Sequence, residues 1–143
     1  AHTLSYLDYY LEQLTESVEK RGGHVHFAAD GDEVNKIVVA LAKEKNVKTA
    51  VKAKSMVSEE VHLNEALEQN DIIPIETDLG EYILQIDEDV PSHIIAPVLH
   101  RTREYITKLF HEKLGTSLEA TPSQLTKVAR QILREGFLKA DMG

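Results

Sequence analysis

The chain has 143 residues, which is enough for one ordinary domain with a single buried core. It contains no cysteine, so its own residues supply no disulfide, no thiolate nucleophile and no cysteine-ligated zinc or iron–sulfur site. Its net charge of −8 offers no general attraction to nucleic acid or anionic lipid, and no apolar run reaches the ~20 residues that cross a bilayer. We therefore expect a soluble, intracellular protein with no nucleic-acid partner and no membrane insertion.

An amphipathic helix is predicted at the start of the chain. Apolar side chains recur there at alternating three- and four-residue steps and fall on one helical stripe, formed by Leu4, Leu7, Leu11, Leu14 and Val18. The run ends at residues 21–23 and covers little more than two heptads, which is short for a coiled coil. Packing on the domain's own sheet is the favoured interpretation, and self-association is the alternative.

Strand and helix patterns alternate through the next part of the chain. Strands are predicted over 24–29, 49–54 and 72–77. A capping box of Asp30 and Glu33 starts the first intervening helix, and a turn over 55–60 leads into the second. Pro74 cannot donate a ladder hydrogen bond, which indicates an edge strand or a bulge. This order predicts an α/β fold, with an open, mainly parallel, three-layer sheet that carries helices on both faces.

The first intervening helix is predicted to end at Asn46 and to bury Val34, Ile37, Val38 and Leu41. Two further strands are predicted over 82–86 and 93–96. A helix is then expected from Pro97 to Gly115, with an inner face of Val98, Thr102, Tyr105, Ile106, Leu109 and Phe110. The last helix is predicted to start at Thr121, where a cap, Pro122 and Gln124 agree. No linker interrupts the pattern, so residues 1–143 are interpreted as one domain.

Two lysines and two serines lie at the predicted carboxyl end of the second strand, at Lys52, Lys54, Ser55 and Ser58. Ligands of open α/β sheets bind beyond the carboxyl ends of strands, and helix N-termini favour anions. Lys52 and Lys54 alternate onto one face of the strand, so a site for an anionic small molecule is one hypothesis. The alternative is a lysine lying along the sheet margin while a serine caps the helix, since no glycine-rich loop is present.

Carboxylates cluster at the end of the third predicted strand, where Glu76, Asp78 and Glu81 surround Gly80. Crowded carboxylates can supply a general base or hold a divalent cation, so the three acids are candidate catalytic residues. A solvated turn, in which aspartate and glycine serve the backbone, is the slightly favoured alternative. If the strands are parallel, this acidic group and the lysine group share one edge of the sheet.

Four of the seven histidines form two candidate pairs. His24 and His26 would share one face of a strand, whereas His93 and His100 would approach each other only if one helix contained both. No third ligand accompanies either pair, so no metal site is predicted. His93 remains a candidate proton-transfer residue because it lies at the start of a predicted strand.

Several segments, taken in order, resemble the LUD (lactate utilization) domain family. They are RGGHVHFA at 21–28, VKAKSMVSEEVHLNEAL at 51–67, ETDLGEYILQI at 76–86, PSHIIAPVLHRTRE at 91–104 and ARQILREGFLKADMG at 129–143. The likeness covers nearly the whole chain. It is strongest to the amino-terminal part of the lactate-utilization iron–sulfur proteins of that family.

The resemblance implies a fold similar to the sugar-phosphate isomerase and CoA-transferase superfamily. It also implies a cytoplasmic complex that oxidises L-lactate to pyruvate, with other lactate-utilization subunits as partners. The 4Fe–4S clusters of such proteins would lie in a segment outside this chain, which would then be a fragment without a cofactor of its own. On this hypothesis the domain serves ligand binding or subunit docking. The alternatives are a self-sufficient isomerase- or transferase-like enzyme and a purely structural assembly module.

Overall fold

The computed structural model describes residues 2–89 and 98–143, in which helices surround a short parallel β-sheet. The chain begins with helices α1 (His2–Ser5), α2 (Leu7–Glu19) and α3 (Gly31–Glu44) and continues into strand β1 (Thr49–Lys52). Helices α4 (Met56–Glu60) and α5 (Leu63–Glu68) connect β1 to strand β2 (Ile73–Glu76). Helices α6 (Leu79–Asp87), α7 (Arg103–Leu114) and α8 (Pro122–Lys139) follow.

Local capping explains where the longer helices begin and end. The Asp30 side chain accepts a hydrogen bond from the Glu33 backbone N–H at 2.9 Å, which confirms the predicted start of α3. Thr121 and Gln124 form both halves of a capping box at the start of α8, also as predicted. Gly115 follows α7 in the left-handed region with φ of 69°, a conformation that glycine adopts without strain.

The sheet pairs β1 with β2 in parallel, with Thr49 opposite Ile73 and Lys52 opposite Glu76. The C-terminal segment lies along the other edge of β1, where the Val51 N–H donates to the Met142 carbonyl at 2.9 Å. The predicted α/β class with parallel pairing is therefore confirmed at the level of a small two-stranded sheet.

A side chain covers the outer edge of β2. Gln85 of α6 donates a hydrogen bond from Nε2 to the Pro74 carbonyl at 2.9 Å and accepts one at Oε1 from the Glu76 N–H at 3.1 Å. Pro74 thus lies on an edge strand, as its missing N–H predicts. The Gln85 amide takes the hydrogen bonds that a neighbouring strand would otherwise make.

Two apolar clusters hold the sheet and five of the helices, α3 and α5 to α8, in place. The first packs α3 and α5 against the sheet and contains Ala42, Val47, Ala50, Leu67 and Ile72. The second joins α6, α7 and α8 and contains Ile83, Leu109, Phe110, Leu125 and Ala129. Burial of this apolar surface stabilises the fold, and it leaves the carboxyl ends of β1 and β2 next to the start of α6.

Two predicted strands are not strands in the structure. Residues 24–29 carry no strand assignment, and Phe27 is exposed. No backbone ladder to a neighbouring strand is found for them among the described residues, and the Ala29 N–H donates instead to the Glu33 side chain. Residues 82–86 lie inside α6, where a cap at Asp78 starts a helix that buries Tyr82, Ile83 and Leu84. The predicted strand at 93–96 lies outside the described residues.

Several predictions about helix faces and boundaries are also wrong. The helix expected from Pro97 begins only at Arg103, because the Thr102 hydroxyl caps it by accepting from the Tyr105 N–H. Thr102 and Tyr105 are consequently exposed rather than on the inner face. In α3 the side chain of Leu41 is also exposed, and the neighbouring Ala42 is fully buried instead.

The leucine stripe of the first helix does not pack on the sheet. Leu4 is 77% exposed and Leu14 52% exposed, and α2 contributes no buried residue. The favoured interpretation of this stripe was therefore wrong. Helical periodicity indicates that one face is apolar, but it does not determine which surface covers that face.

In the described part of the chain, no helix is long and apolar enough to cross a membrane.

Candidate functional site

The parallel pairing of β1 and β2 brings their last residues together at one edge of the sheet. Lys52 Nζ lies 2.7 Å from Glu76 Oε1, and the two side chains are only 13% and 7% exposed. The two residues form a buried ion pair, because the aligned carboxyl ends place both side chains at the same level of the sheet. The sequence predicted both residues for this edge, and the structure places them in direct contact.

Polar side chains from the connecting helices complete the surroundings of this pair. Asn64 of α5 donates a hydrogen bond from Nδ2 to Glu76 Oε1 at 3.1 Å. Ser58 Oγ lies 3.4 Å from Lys52 Nζ and donates to the Ser55 carbonyl at 2.9 Å. Ser55 caps α4 by accepting from the Ser58 N–H, which agrees with the capping alternative for this residue.

Glu81 lies beside the ion pair, in the first turn of α6. Its side chain is 2% exposed, and Oε1 is 3.8 Å from Nζ of Lys54, which is itself 45% exposed. Burial raises the pKa of the Glu81 carboxyl, and the negative charges of Glu76 and Glu59 raise it further, whereas Lys54 opposes the shift. Glu81 is therefore a buried acid whose neutral form is favoured relative to an exposed glutamate.

Asp78 and Gly80 serve the backbone of the same turn. The Asp78 carboxylate accepts hydrogen bonds from the Gly80 N–H at 2.9 Å and from the Glu81 N–H at 3.3 Å, and so caps α6. Gly80 lies within the helix rather than in the tight turn that we expected. The turn interpretation thus accounts for Asp78, whereas it does not account for the burial of Glu76 and Glu81.

A cavity of about 480 Å³ opens beside Glu76 and Glu81. Asn64, His62, Leu84 and Gln85 contribute to its wall. Its other lining residues are all acidic, namely Glu59, Glu65, Glu68, Glu76, Glu81, Glu88 and Asp89, and no lysine or arginine of the described ranges is among them. Four of these acids are ion-paired with cations that lie outside the lining, Glu76 with Lys52, Glu81 with Lys54, Glu88 with Lys113 and Asp89 with Arg101. The acids still outnumber these cations, so the cavity is negative.

The structure brings some predicted site residues together and leaves others apart. The ammonium group of Lys52 is compensated by Glu76, which weighs against an anion site formed jointly by Lys52 and Lys54. His93 lies outside the described residues. Within residues 2–89 and 98–143, no group of three or more histidine or acidic side chains converges as metal ligands would. Sequence reasoning missed Asn64 and Gln85, because no local motif marks an amide that bonds a distant residue.

Comparisons with known proteins agree with the motifs. The family model described as the LUD domain matches residues 11–143. Lactate utilization protein B of Bacillus pumilus is 53% identical over 143 residues, and the matched region is 99% of this chain and 30% of that protein. The protein of the same name from Bacillus cereus is 53% identical over 142 residues, with the same coverage. The chain thus spans about 30% of the length of these curated relatives. No solved structure matches the chain.

Proposed function

This chain belongs to the LUD domain family, and from that membership we propose that it acts in lactate utilization as the LUD domain of a larger protein. The observation that carries the proposal is the 53% identity to Lactate utilization protein B over 99% of the chain. In this role the domain belongs to a cytoplasmic complex that oxidises L-lactate to pyruvate. The partners are other subunits of that complex, and 4Fe–4S clusters held outside these residues transfer the electrons.

The contribution of the domain is to bind a ligand or a partner segment in the acidic cavity. Three features support this role. The cavity lies at the carboxyl ends of parallel strands, where ligands of open α/β sheets bind. Its wall contains Glu81, a buried acid with a raised pKa, and such groups concentrate at functional sites. The ion pair with Lys52 fixes the orientation of the Glu76 carboxylate, which belongs to the same wall.

Growth on different carbon sources tests the proposed role. The gene for the full-length protein is deleted from the organism that encodes it, and growth is measured on L-lactate and on pyruvate. We expect the deletion to abolish growth on lactate only, because pyruvate enters metabolism after the oxidation step. The full-length gene should restore growth, whereas a gene without residues 1–143 should not. Immunoblotting controls for accumulation of the shortened protein, and normal growth on lactate without these residues would contradict the proposal.

Proton transfer by Glu81 is a second candidate, as part of an isomerase- or transferase-like reaction. The raised pKa of this buried carboxyl favours it, since a general base works best when its pKa approaches the working pH. Glu76 is less suited because Lys52 neutralises it, and Asp78 is occupied as a helix cap. Calorimetry of the full-length protein against a sugar phosphate, CoA and L-lactate tests this candidate. It fails if none of them binds at about millimolar concentration.

Assembly through the leucine stripe is the third candidate, because that stripe is exposed in the structure. Light scattering of the full-length protein over a range of concentrations tests self-association, and a monomer at every concentration would contradict it. The finer fold prediction also stays a proposal, namely a three-layer sheet like that of sugar-phosphate isomerases and CoA-transferases. A crystal structure of the full-length protein with further parallel strands beside β1 would support it.

A further inference from the structure

Three residues in the wall of this cavity carry buried oxygen atoms without a hydrogen-bond partner. Both carboxylate oxygens of Glu81, Oε2 of Glu76 and Oδ1 of Asn64 are buried and have no hydrogen-bond partner among the described residues. Glu76 and Glu81 are both more than nine-tenths buried. A buried acceptor without a donor is unfavourable, and most such atoms in native proteins find one. The wall of this cavity is therefore complementary to a group that donates several hydrogen bonds.

The charges around the cavity indicate that this donor is a cation. Its lining contains seven acidic residues and His62, which pairs with Glu65, and it has no lysine or arginine among residues 2–89 and 98–143. Lys113 and Arg101 pair with Glu88 and Asp89 from outside the lining, so the remaining excess of acidic groups sets the sign of the charge. Lys52 contacts Glu76 through Oε1, the oxygen that also accepts from Asn64, and so leaves Oε2 available. Lys54 is 3.8 Å from Glu81 and partly in solvent, where screening weakens its effect. An anion would meet repulsion in this cavity, whereas a cation would be attracted.

The acceptor atoms do not converge on one point, and this arrangement distinguishes between kinds of cation. A bound Ca²⁺ or Mg²⁺ requires oxygens at about 2.0–2.6 Å from one point, and no described group of acids converges in that way. A guanidinium group instead carries five N–H donors in a planar fork and reaches acceptors that lie apart. A volume of about 480 Å³ accommodates such a group together with part of its aliphatic stem.

We infer that this acidic cavity binds an organic cation with several N–H donors, and that a guanidinium group is its best ligand. Glu81 and Glu76 Oε2 accept the charged N–H groups, and Asn64 Oδ1 accepts one more. Lys52 acts as a positioning residue because it holds the other oxygen of Glu76. The inference deepens the binding role proposed above for the cavity and rests on that role. The cation belongs either to a small molecule or to an arginine side chain of a polypeptide.

Calorimetry of the full-length protein at low ionic strength tests this inference. The probes are methylguanidinium chloride, methylammonium chloride and a blocked Gly-Arg-Gly peptide, and sodium lactate serves as the anionic comparison. We expect saturable binding of a guanidinium probe, weaker binding of methylammonium and none of lactate in this cavity. Glu81→Gln should weaken guanidinium binding by about tenfold or more, because it removes a charge-assisted hydrogen bond. Glu12→Gln, the same change on an exposed helix, should leave it unaltered.

The outcomes separate the two sources and can overturn the inference. Tighter binding of the peptide than of methylguanidinium assigns the site to a polypeptide arginine, and the reverse assigns it to a small molecule. Asn64→Leu provides a second variant if Glu81→Gln fails to fold in a thermal melt. The inference is overturned if neither guanidinium probe binds at about 10 mM, ten times a millimolar Kd, or if the variants bind as well as the wild type. Growth on lactate tests the role in lactate utilization separately, so the two failures are distinguishable.

Discussion

Replacing Lys52 with methionine tests how much the buried ion pair contributes to folding. Lys52→Met keeps an unbranched side chain of similar length but removes the ammonium group that lies 2.7 Å from Glu76 Oε1. The carboxylate of Glu76 then stays buried, with Asn64 as its remaining described hydrogen-bond donor. Breaking a buried pair on one side costs about 3–5 kcal/mol, because the other charge is left uncompensated. At roughly 3 °C for each kcal/mol, we expect Tm to fall by about 10 °C.

A double-mutant cycle measured by urea unfolding separates the pair from its surroundings. Glu76→Gln alone should also destabilise the protein, because it leaves a buried ammonium group. The double variant should lose less than the sum of the two single changes, with a coupling of about 2 kcal/mol, because neither charge remains unpaired. Lys45→Met is the matched control. Its partner Glu44 lies at 2.8 Å, but both side chains are exposed, so unfolding should scarcely change.

The cycle also defines the result that would refute this reasoning. If Lys52→Met destabilises the protein no more than Lys45→Met, burial of the pair has no energetic consequence. If the losses in the double variant are simply additive, the two charges do not compensate each other. Either result would remove the reason for describing Lys52 as the residue that positions Glu76.

Three further changes test neighbouring contacts. Burial raises the folded-state pKa of Glu81 above its ordinary value of 4.5. The protonated Glu81 side chain therefore contributes to stability below pH 4.5, and this contribution is lost as the pH rises through the folded-state pKa. Glu81→Gln should therefore raise Tm at neutral pH and not at pH 4, and thermal melts that show no pH-dependent difference would contradict this. Asp141→Ala removes the carboxylate oxygen that accepts from the N–H groups of Lys48 and Thr49 at the start of β1, so hydrogen exchange should accelerate at Val51, which pairs with the same C-terminal segment. Unchanged exchange there would show that other contacts hold that segment. Gln85→Met removes both hydrogen bonds at the edge of β2 and should cost about 1–3 kcal/mol in urea unfolding, with more aggregation by light scattering. A variant as stable and soluble as the wild type would mean that water replaces the amide.

The starts of α3 and α8 and the end of α7 followed from the sequence because their causes are local. Asp30 and Thr121 each bond a backbone N–H three residues later, and Gly115 adopts a backbone conformation that other residues rarely take. The two paired strands were also predicted, although each is shorter than its apolar run. Signals of this kind need no information about the rest of the molecule.

The errors arose where a short apolar run has two explanations. Residues 82–86 are as compatible with a buried helix as with a strand, and the cap at Asp78 decides for the helix. Residues 24–29 have strand propensity but no described partner strand, so that propensity forms no ladder. The leucine stripe of α1 and α2 showed the same ambiguity at the level of packing, because its apolar face does not determine its neighbour.

The sequence by itself determined the family, the α/β class, the starts of α3 and α8, the end of α7 and the presence of Lys52 and Glu76 at the ends of two strands. Only the tertiary structure decided that these two residues form a buried pair, that Gln85 covers the edge of β2 and that Glu81 lies buried beside a negative cavity. The physical reason is the distance along the chain over which each effect acts. Capping and periodicity act within a few residues of the chain, whereas burial, charge compensation and pKa depend on which distant side chains the folded chain brings into contact.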